Sequence, residues 1–235
     1  MKKSYMKKLF TLLAFLPLLA FANEVKIGVT APIDASDLGS LQRGAKIFVN
    51  NCLNCHSANY MRYNRLKDIG LTEAQIKDNL LFAGEKVGDT MRVAMNPKEA
   101  KKWFGVAPPD LSVEVRARGA DWVYAYLRGF YRDESTPTGW NNTVYDKVAM
   151  PHVLYELQGE QKLNHETHQL ELVKPGKLSP TEYNAYVGDL TNFMAYMAEP
   201  SKQSRQKTGL WVLLFLGVML VLAKKLKNAY WKDIK

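Results

Sequence analysis

Chemistry in this chain starts at five consecutive residues, Cys52-Leu53-Asn54-Cys55-His56. Two thiols at this spacing can form a redox dithiol, supply half of a zinc site, or attach a porphyrin. Only the third use employs the neighbour. Two thiols add across two vinyl groups on one edge of a haem, and the following imidazole comes under the iron. A dithiol would leave His56 idle, and it lacks the preceding strand of such motifs, because Ser40 to Asn51 reads as helix. A zinc site needs further thiolates, and Cys52 and Cys55 are the two cysteines of the chain. The pattern points to one haem c, covalent through Cys52 and Cys55, with His56 as proximal ligand.

The ligand on the other face decides between carrying electrons and binding small molecules. Met150 lies in a Pro- and Gly-containing loop and is followed at once by Pro151. Met95 is a rival, since Val93-Ala94-Met95-Asn96-Pro97 resembles Val148-Ala149-Met150-Pro151. Met194 and Met197 fall on a helical apolar face and read as core. His152, His165 or His168 would give a bis-histidine centre, although His165 and His168 sit in a polar connection that reads as solvated loop. On pattern alone Met150 leads Met95 narrowly, and the choice stays open.

The elements that must position these groups are mostly helical. The spacing predicts a first helix from Ser40, its N-cap, to about Asn51, with Leu41, Ala45, Phe48 and Val49 on one face. Gly44 inside it implies close packing, because glycine there costs about 1 kcal/mol of helix propensity. A second helix is expected near Thr72 to Leu81 and a third from Asp121 to about Phe130. Glycines and prolines make most of 84–112 and 133–151 read as loop. A short strand is expected at Gln169 to Val173, and Pro175-Gly176 reads as a turn. The last helix is the clearest: Ser179 caps it, Pro180 and Glu182 complete the signature, and Tyr183, Val187, Leu190, Phe193, Met194 and Met197 recur at helical spacing up to Pro200. Loops this long need something to pack against, and a haem would serve.

Charge is segregated to the ends. The formal net charge is +9, but residues 1–22 carry four lysines and no acid, and 201–235 carry eight basic residues and one acid. The remainder is close to neutral, with 20 basic and 22 acidic residues, so a basic face for nucleic acid is not expected. Lys2, Lys3, Lys7 and Lys8, an apolar stretch from Leu9, and Ala20-Phe21-Ala22 read as a secretory signal peptide. Gly209 to Ala223 is an uncharged apolar run that rises about 22 Å as a helix, short of a hydrocarbon core of roughly 30 Å. Lys207, Lys224 and Lys225 can snorkel from its ends, and Trp211 and Trp231 suit the headgroup level. The expected organisation is signal peptide 1–22, periplasmic c-type haem domain 23–200, linker 201–208, transmembrane anchor 209–226 and cytoplasmic tail 227–235.

Beyond the haem motif, the chain resembles the cytochrome c1 family, the haem subunit of the ubiquinol–cytochrome c reductase (bc1) complex. The resemblance runs through Ser40-Leu41-Gln42-Arg43-Gly44, Cys52 to His56, and Tyr63-Asn64-Arg65-Leu66. Ala107-Pro108-Pro109-Asp110-Leu111-Ser112 and Val115-Arg116-Ala117-Arg118-Gly119 are its most specific segment. Pro137 to Asn142, Met150-Pro151-His152-Val153-Leu154 and Pro175 to Pro180 extend it, the Met-Pro-His-Val-Leu form looking like the bacterial branch. The resemblance implies a mainly α fold: a class I cytochrome c-like haem domain with long loops, plus one C-terminal transmembrane helix.

It also implies Met150 as axial ligand in place of Met95, Arg118 on a haem propionate, and the Pro109 carbonyl on the Nδ1 proton of His56. Without it, Arg116 and Arg118 read equally as surface charge. Where animal relatives show Gly-Gly-Glu-Asp-Tyr, this chain has Gly119-Ala120-Asp121-Trp122. The implied function is a non-catalytic electron carrier in the bacterial inner membrane, single-pass, taking electrons from a Rieske iron–sulfur protein beside cytochrome b and passing them to a soluble cytochrome c. Alternatives are an anchored c-type cytochrome of another respiratory complex, and a haem enzyme or gas sensor with an open distal site.

Overall fold

The computed structural model describes residues 28–232. The expected signal peptide, residues 1–22, lies outside the described residues. Helix α1 (Leu38–Asn51) leads through β1 (Ala58–Arg62) and a 3-10 helix (Tyr63–Ile69) to α2 (Glu73–Asn79). Strand β2 (Thr90–Met91) returns antiparallel to β1, and α3 (Pro97–Phe104) follows. Helices α4 (Glu114–Arg118) and α5 (Ala120–Arg128) precede the antiparallel pair β3 (Phe130–Arg132) and β4 (Trp140–Asn142). A short α6 (Tyr155–Gln158) enters the hairpin of β5 (Gly159–Leu163) and β6 (Leu170–Pro175). Helices α7 (Pro180–Ala198) and α8 (Lys202–Tyr230) complete the chain.

The core forms where α1 crosses α7, with α4 and α5 packed on the same helix. Leu41, Ala45, Phe48 and Val49 of α1 are buried as their spacing requires, and Phe48 meets Phe193 with ring centroids 5.7 Å apart. Gly44 makes the crossing possible. A Cβ there would lie 2.1 Å from the Asp189 carbonyl oxygen and 2.6 Å from the Phe193 Cβ, so only glycine lets the two backbones approach. The first helix begins earlier than its pattern indicates: Asp37, not Ser40, is the cap, accepting from the Ser40 amide at 2.9 Å. Ser40 is buried in the first turn, where its hydroxyl accepts from Asn192 Nδ2 at 3.0 Å. A buried tertiary partner has displaced the local capping role.

Helix α7 matches its signature, with a reciprocal capping box between Ser179 and Glu182. Met194 and Met197 are buried in the core, as expected. Helix α2 is likewise capped reciprocally by Thr72 and Gln75. Two elements depart from the reading of the sequence. Helix α3 occupies a stretch expected to be loop; Asn96 caps it by accepting from Lys98 N at 2.9 Å, Pro97 opens it, and Gly105 at φ +79° ends it. Strand β5 was not anticipated as the partner of the expected strand at β6. It starts at Gly159, whose φ of +93° and approach to Lys174 exclude a side chain, since a Cβ would sit 2.2 Å from that carbonyl oxygen.

Helix α8 is one continuous rod, so residues expected to form a linker are its first turns. Its 29 residues rise about 43 Å, enough for the hydrocarbon core and the headgroup layers together. Among the described residues it is the one helix long and apolar enough to cross a membrane, and none of it is buried against the rest of the chain.

Candidate haem-binding site

The end of α1 builds one side of the site. Cys52 is the C-cap residue, and the amides of Cys55 and His56 both return to its carbonyl, at 3.1 and 2.8 Å. This tight turn brings two thiols and an imidazole to one end of a helix. His56 then donates from Nδ1 to the carbonyl oxygen of Pro109 at 2.8 Å, which leaves Nε2 as the nitrogen free to bind a metal. Burial holds the imidazole below its ordinary pKa, partly offset by that hydrogen bond, which favours the neutral ring. Burial also pushes the free Cys52 thiol up to about 12. A dithiol oxidoreductase needs the opposite shift.

The strap carrying Pro109 is itself pinned. Asp110 accepts from Asn59 N at 2.8 Å, Asn59 Nδ2 at 2.7 Å and Ser112 N at 2.8 Å. Leu111 N reaches the carbonyl of Ser57 at 2.9 Å, and Ser112 Oγ accepts from Tyr60 N at 3.0 Å. Burial alone would raise the Asp110 pKa, but the hydrogen bonds from Ser112 and Asn59 outweigh it and hold the carboxyl below its ordinary value.

Met150 belongs to a second cluster of aromatic side chains. It packs against Phe130, Trp140 and Val148, and its Sδ accepts from the Tyr126 hydroxyl at 3.4 Å. Trp122 and Tyr126 stack at 5.0 Å and 11°, one helical turn apart on α5. Phe130 meets Tyr126 edge-on at 5.1 Å, and on its other side stacks on His152 at 4.7 Å and 1°. His152 is thus a buried packing group, pushed down to about 4 by burial, rather than an open ligand. Arg118 pairs with Glu114 and lies 4.4 Å over the Trp122 ring. The charge of Glu114 acts to raise both the His56 and the Tyr126 pKa, as a lesser cause in each. Burial pushes the Tyr126 phenol above its ordinary range, so it stays a hydrogen-bond donor.

The donor set fits a haem: an imidazole with one free ring nitrogen, two thiols for its edge, a half-buried thioether among aromatic side chains, and a half-exposed arginine for a carboxylate. Of the competing groups, Met95 follows Val93, whose amide donates to Ser57 Oγ at 3.1 Å, so that segment is tied next to His56. His165 and His168 lie in the tip between β5 and β6, and Arg116 reaches out to Glu199 at 3.8 Å. A concavity of about 820 Å³ lies elsewhere, between α5, α7 and the β5–β6 hairpin; Cys52, Cys55, His56 and Met150 do not line it.

Residues 29–234 match the model of the Cytochrome C1 family. The chain belongs to the cytochrome c1 family. A cytochrome c1 of Allochromatium vinosum is 49% identical over 87% of this chain and 88% of that one. A protein of Nitrosomonas europaea named ammonia monooxygenase gamma subunit is 55% identical over 96% of this chain and 97% of its own length. The mitochondrial cytochrome c1 haem protein of Saccharomyces cerevisiae is 24% identical over 87% of this chain and 70% of its length. A chain of a hyperthermophilic respiratory complex III aligns over 99% of this chain and 98% of its own at 18% identity, with a TM-score of 0.47. Cytochrome c1 proteins carry one covalently bound haem c, and this chain is accordingly a membrane-anchored electron-transfer subunit of the bc1 complex.

Three contributors escape inspection of the sequence: the Tyr126 hydroxyl, the Glu114 partner of Arg118, and the Asp110 anchor of the strap. Glu114 and Arg118 are spaced i, i+4, which is a usable signal on a helix. The contact of Tyr126 with Met150 has none.

Proposed function

We propose that the chain passes single electrons from a Rieske iron–sulfur protein to a soluble cytochrome c, beside cytochrome b, with its haem domain in the bacterial periplasm. Family membership supplies the coarser part, an electron-transfer subunit of the bc1 complex. The observation that supports the ligand reading is the bond from His56 Nδ1 to Pro109, which occupies one imidazole nitrogen and leaves the other, in the residue after Cys55, without a backbone partner among the described residues. When bound, the haem supplies a one-electron iron couple.

The residues around it have assignable duties. Cys52 and Cys55 clamp one edge through thioethers. His56 would ligate the iron through Nε2, its tautomer fixed by Pro109. Met150 would supply its sulfur as a second ligand, which would leave no open position of the kind an oxygen-binding or sensing site needs. Tyr126 and Phe130 pack beside that sulfur, with Trp122 stacked on Tyr126, and Arg118, braced by Glu114, would offer a guanidinium to a propionate. The subunit makes and breaks no substrate bond; quinol oxidation belongs to its partners.

The name of the Nitrosomonas relative describes an oxygen-activating enzyme. The Allochromatium relative and the family match both name cytochrome c1, and they support the reading as an electron carrier. Signal peptide 1–22, haem domain 23–200 and anchor 209–226 set the orientation: export of the domain leaves Lys224, Lys225 and Lys227 on the cytoplasmic side. Purification of the tagged full-length chain from membranes tests this directly. A mature mass larger by one haem, a start at Asn23, and co-purification of cytochrome b with a Rieske protein are expected; absence of both partners removes the proposed route.

A further inference from the structure

We propose that Tyr126 is a positioning residue of the redox centre: its hydroxyl holds the Met150 sulfur by an O–H···S hydrogen bond and raises the midpoint potential. The inference rests on the reading of Met150 as axial ligand. A thioether sulfur has two lone pairs, so one can bind iron while the other accepts a proton donor. The Tyr126 hydroxyl stands 3.4 Å from Sδ, within hydrogen-bond range for sulfur. A donor at that lone pair withdraws electron density, makes sulfur a weaker donor to iron, and so favours the reduced state.

The geometry also shows why this hydroxyl is held in place. Residues 122, 126 and 130 form one stripe along α5 into β3. The Tyr126 ring is fixed between Trp122, parallel at 5.0 Å, and the edge-on ring of Phe130 at 5.1 Å. Arg118 closes the outer face of Trp122 at 4.4 Å. A ring that cannot swing presents its hydroxyl without further ordering cost. Tyr124, two residues earlier, sits on another face of the helix and donates to the Asn184 carbonyl at 3.3 Å, away from Met150.

The test uses the holoprotein of full length in purified membranes, with Tyr126→Phe, which keeps the ring stack, and Tyr124→Phe as the comparison. Redox titration should show a lower midpoint potential for Tyr126→Phe and a native value for Tyr124→Phe. The near-infrared sulfur-to-iron band of the oxidised protein should persist in Tyr126→Phe at a shifted wavelength, and carbon monoxide should bind the reduced form faster. A native midpoint and native band in Tyr126→Phe overturn the inference, as does an equal drop in Tyr124→Phe. If the unmodified protein lacks the band, the reading of Met150 as ligand fails first, and that outcome is distinct from both.

Discussion

His56 and Pro109 lie 53 residues apart in sequence and are joined by a 2.8 Å hydrogen bond from imidazole Nδ1 to carbonyl oxygen. A carbonyl can only accept, so the proton on Nδ1 is fixed and Nε2 carries the free lone pair. The bond depends on a strap whose position is set by the Asp110 carboxylate, and that carboxylate titrates.

Acid should therefore loosen the proximal side. The folded pKa of Asp110 lies below its ordinary 3.8, because hydrogen bonds from Ser112 and Asn59 outweigh burial. A depressed carboxylate pKa contributes stability that is full above the unfolded value and is lost as pH falls through the folded one. Thermal melts of the haem domain should fall in that window for the native protein. Asp110→Asn should melt lower at neutral pH and show a flatter dependence across the same window. Identical profiles would remove Asp110 from the strap.

Replacing either thiol separates attachment from ligation. Cys52→Ser and Cys55→Ser should each retain one thioether, and the double variant none. Mass spectrometry of the denatured chain should find haem on each single variant and none on the double one, because His56 binds only by coordination.

The two similar methionine segments give opposite expectations. Met150→Leu should lose the near-infrared sulfur band, bind carbon monoxide readily and drop in midpoint potential. Met95→Leu should keep all three native, since its segment is tied to Ser57 beside His56. Reversal of the two phenotypes would transfer the ligand to Met95.

Gly44→Ala should destabilise the domain despite the better helix propensity of alanine. The propensity gain is about 1 kcal/mol, whereas overpacking against a neighbouring backbone typically costs about 1–3 kcal/mol. The obstacle is the Asp189 carbonyl of α7, and the Arg43–Asp189 bonds at 2.6 and 3.0 Å beside it resist separation of the two helices. A lower melting temperature with an unchanged haem spectrum checks this; an unchanged melt would mean that α7 moves aside freely.

Where local chemistry repeats a known pattern, the elements were legible. Ser179 and Glu182 cap α7 as their spacing indicates, because a capping box is a contact between residues three apart. Helix α3 escaped since Pro97 and nearby glycines read as breakers, although Asn96-Pro97 is also a proper helix start. Ser40 looked like a cap and is a buried partner of Asn192, a contact across 152 residues that no local rule reaches.

Order along the chain was enough, by itself, to indicate a covalent haem and a C-terminal apolar helix, and to nominate Cys52, Cys55 and His56 as the residues that would hold the haem. Each depends on residues adjacent in sequence or on uninterrupted apolarity, and such features survive without a fold. Only the tertiary structure decided that Pro109 faces His56, that Asp110 ties its strap to Asn59, and that Tyr126 meets the sulfur of Met150. Those contacts join segments separated by 24 to 53 residues, a distance along the chain that no rule of local spacing reaches.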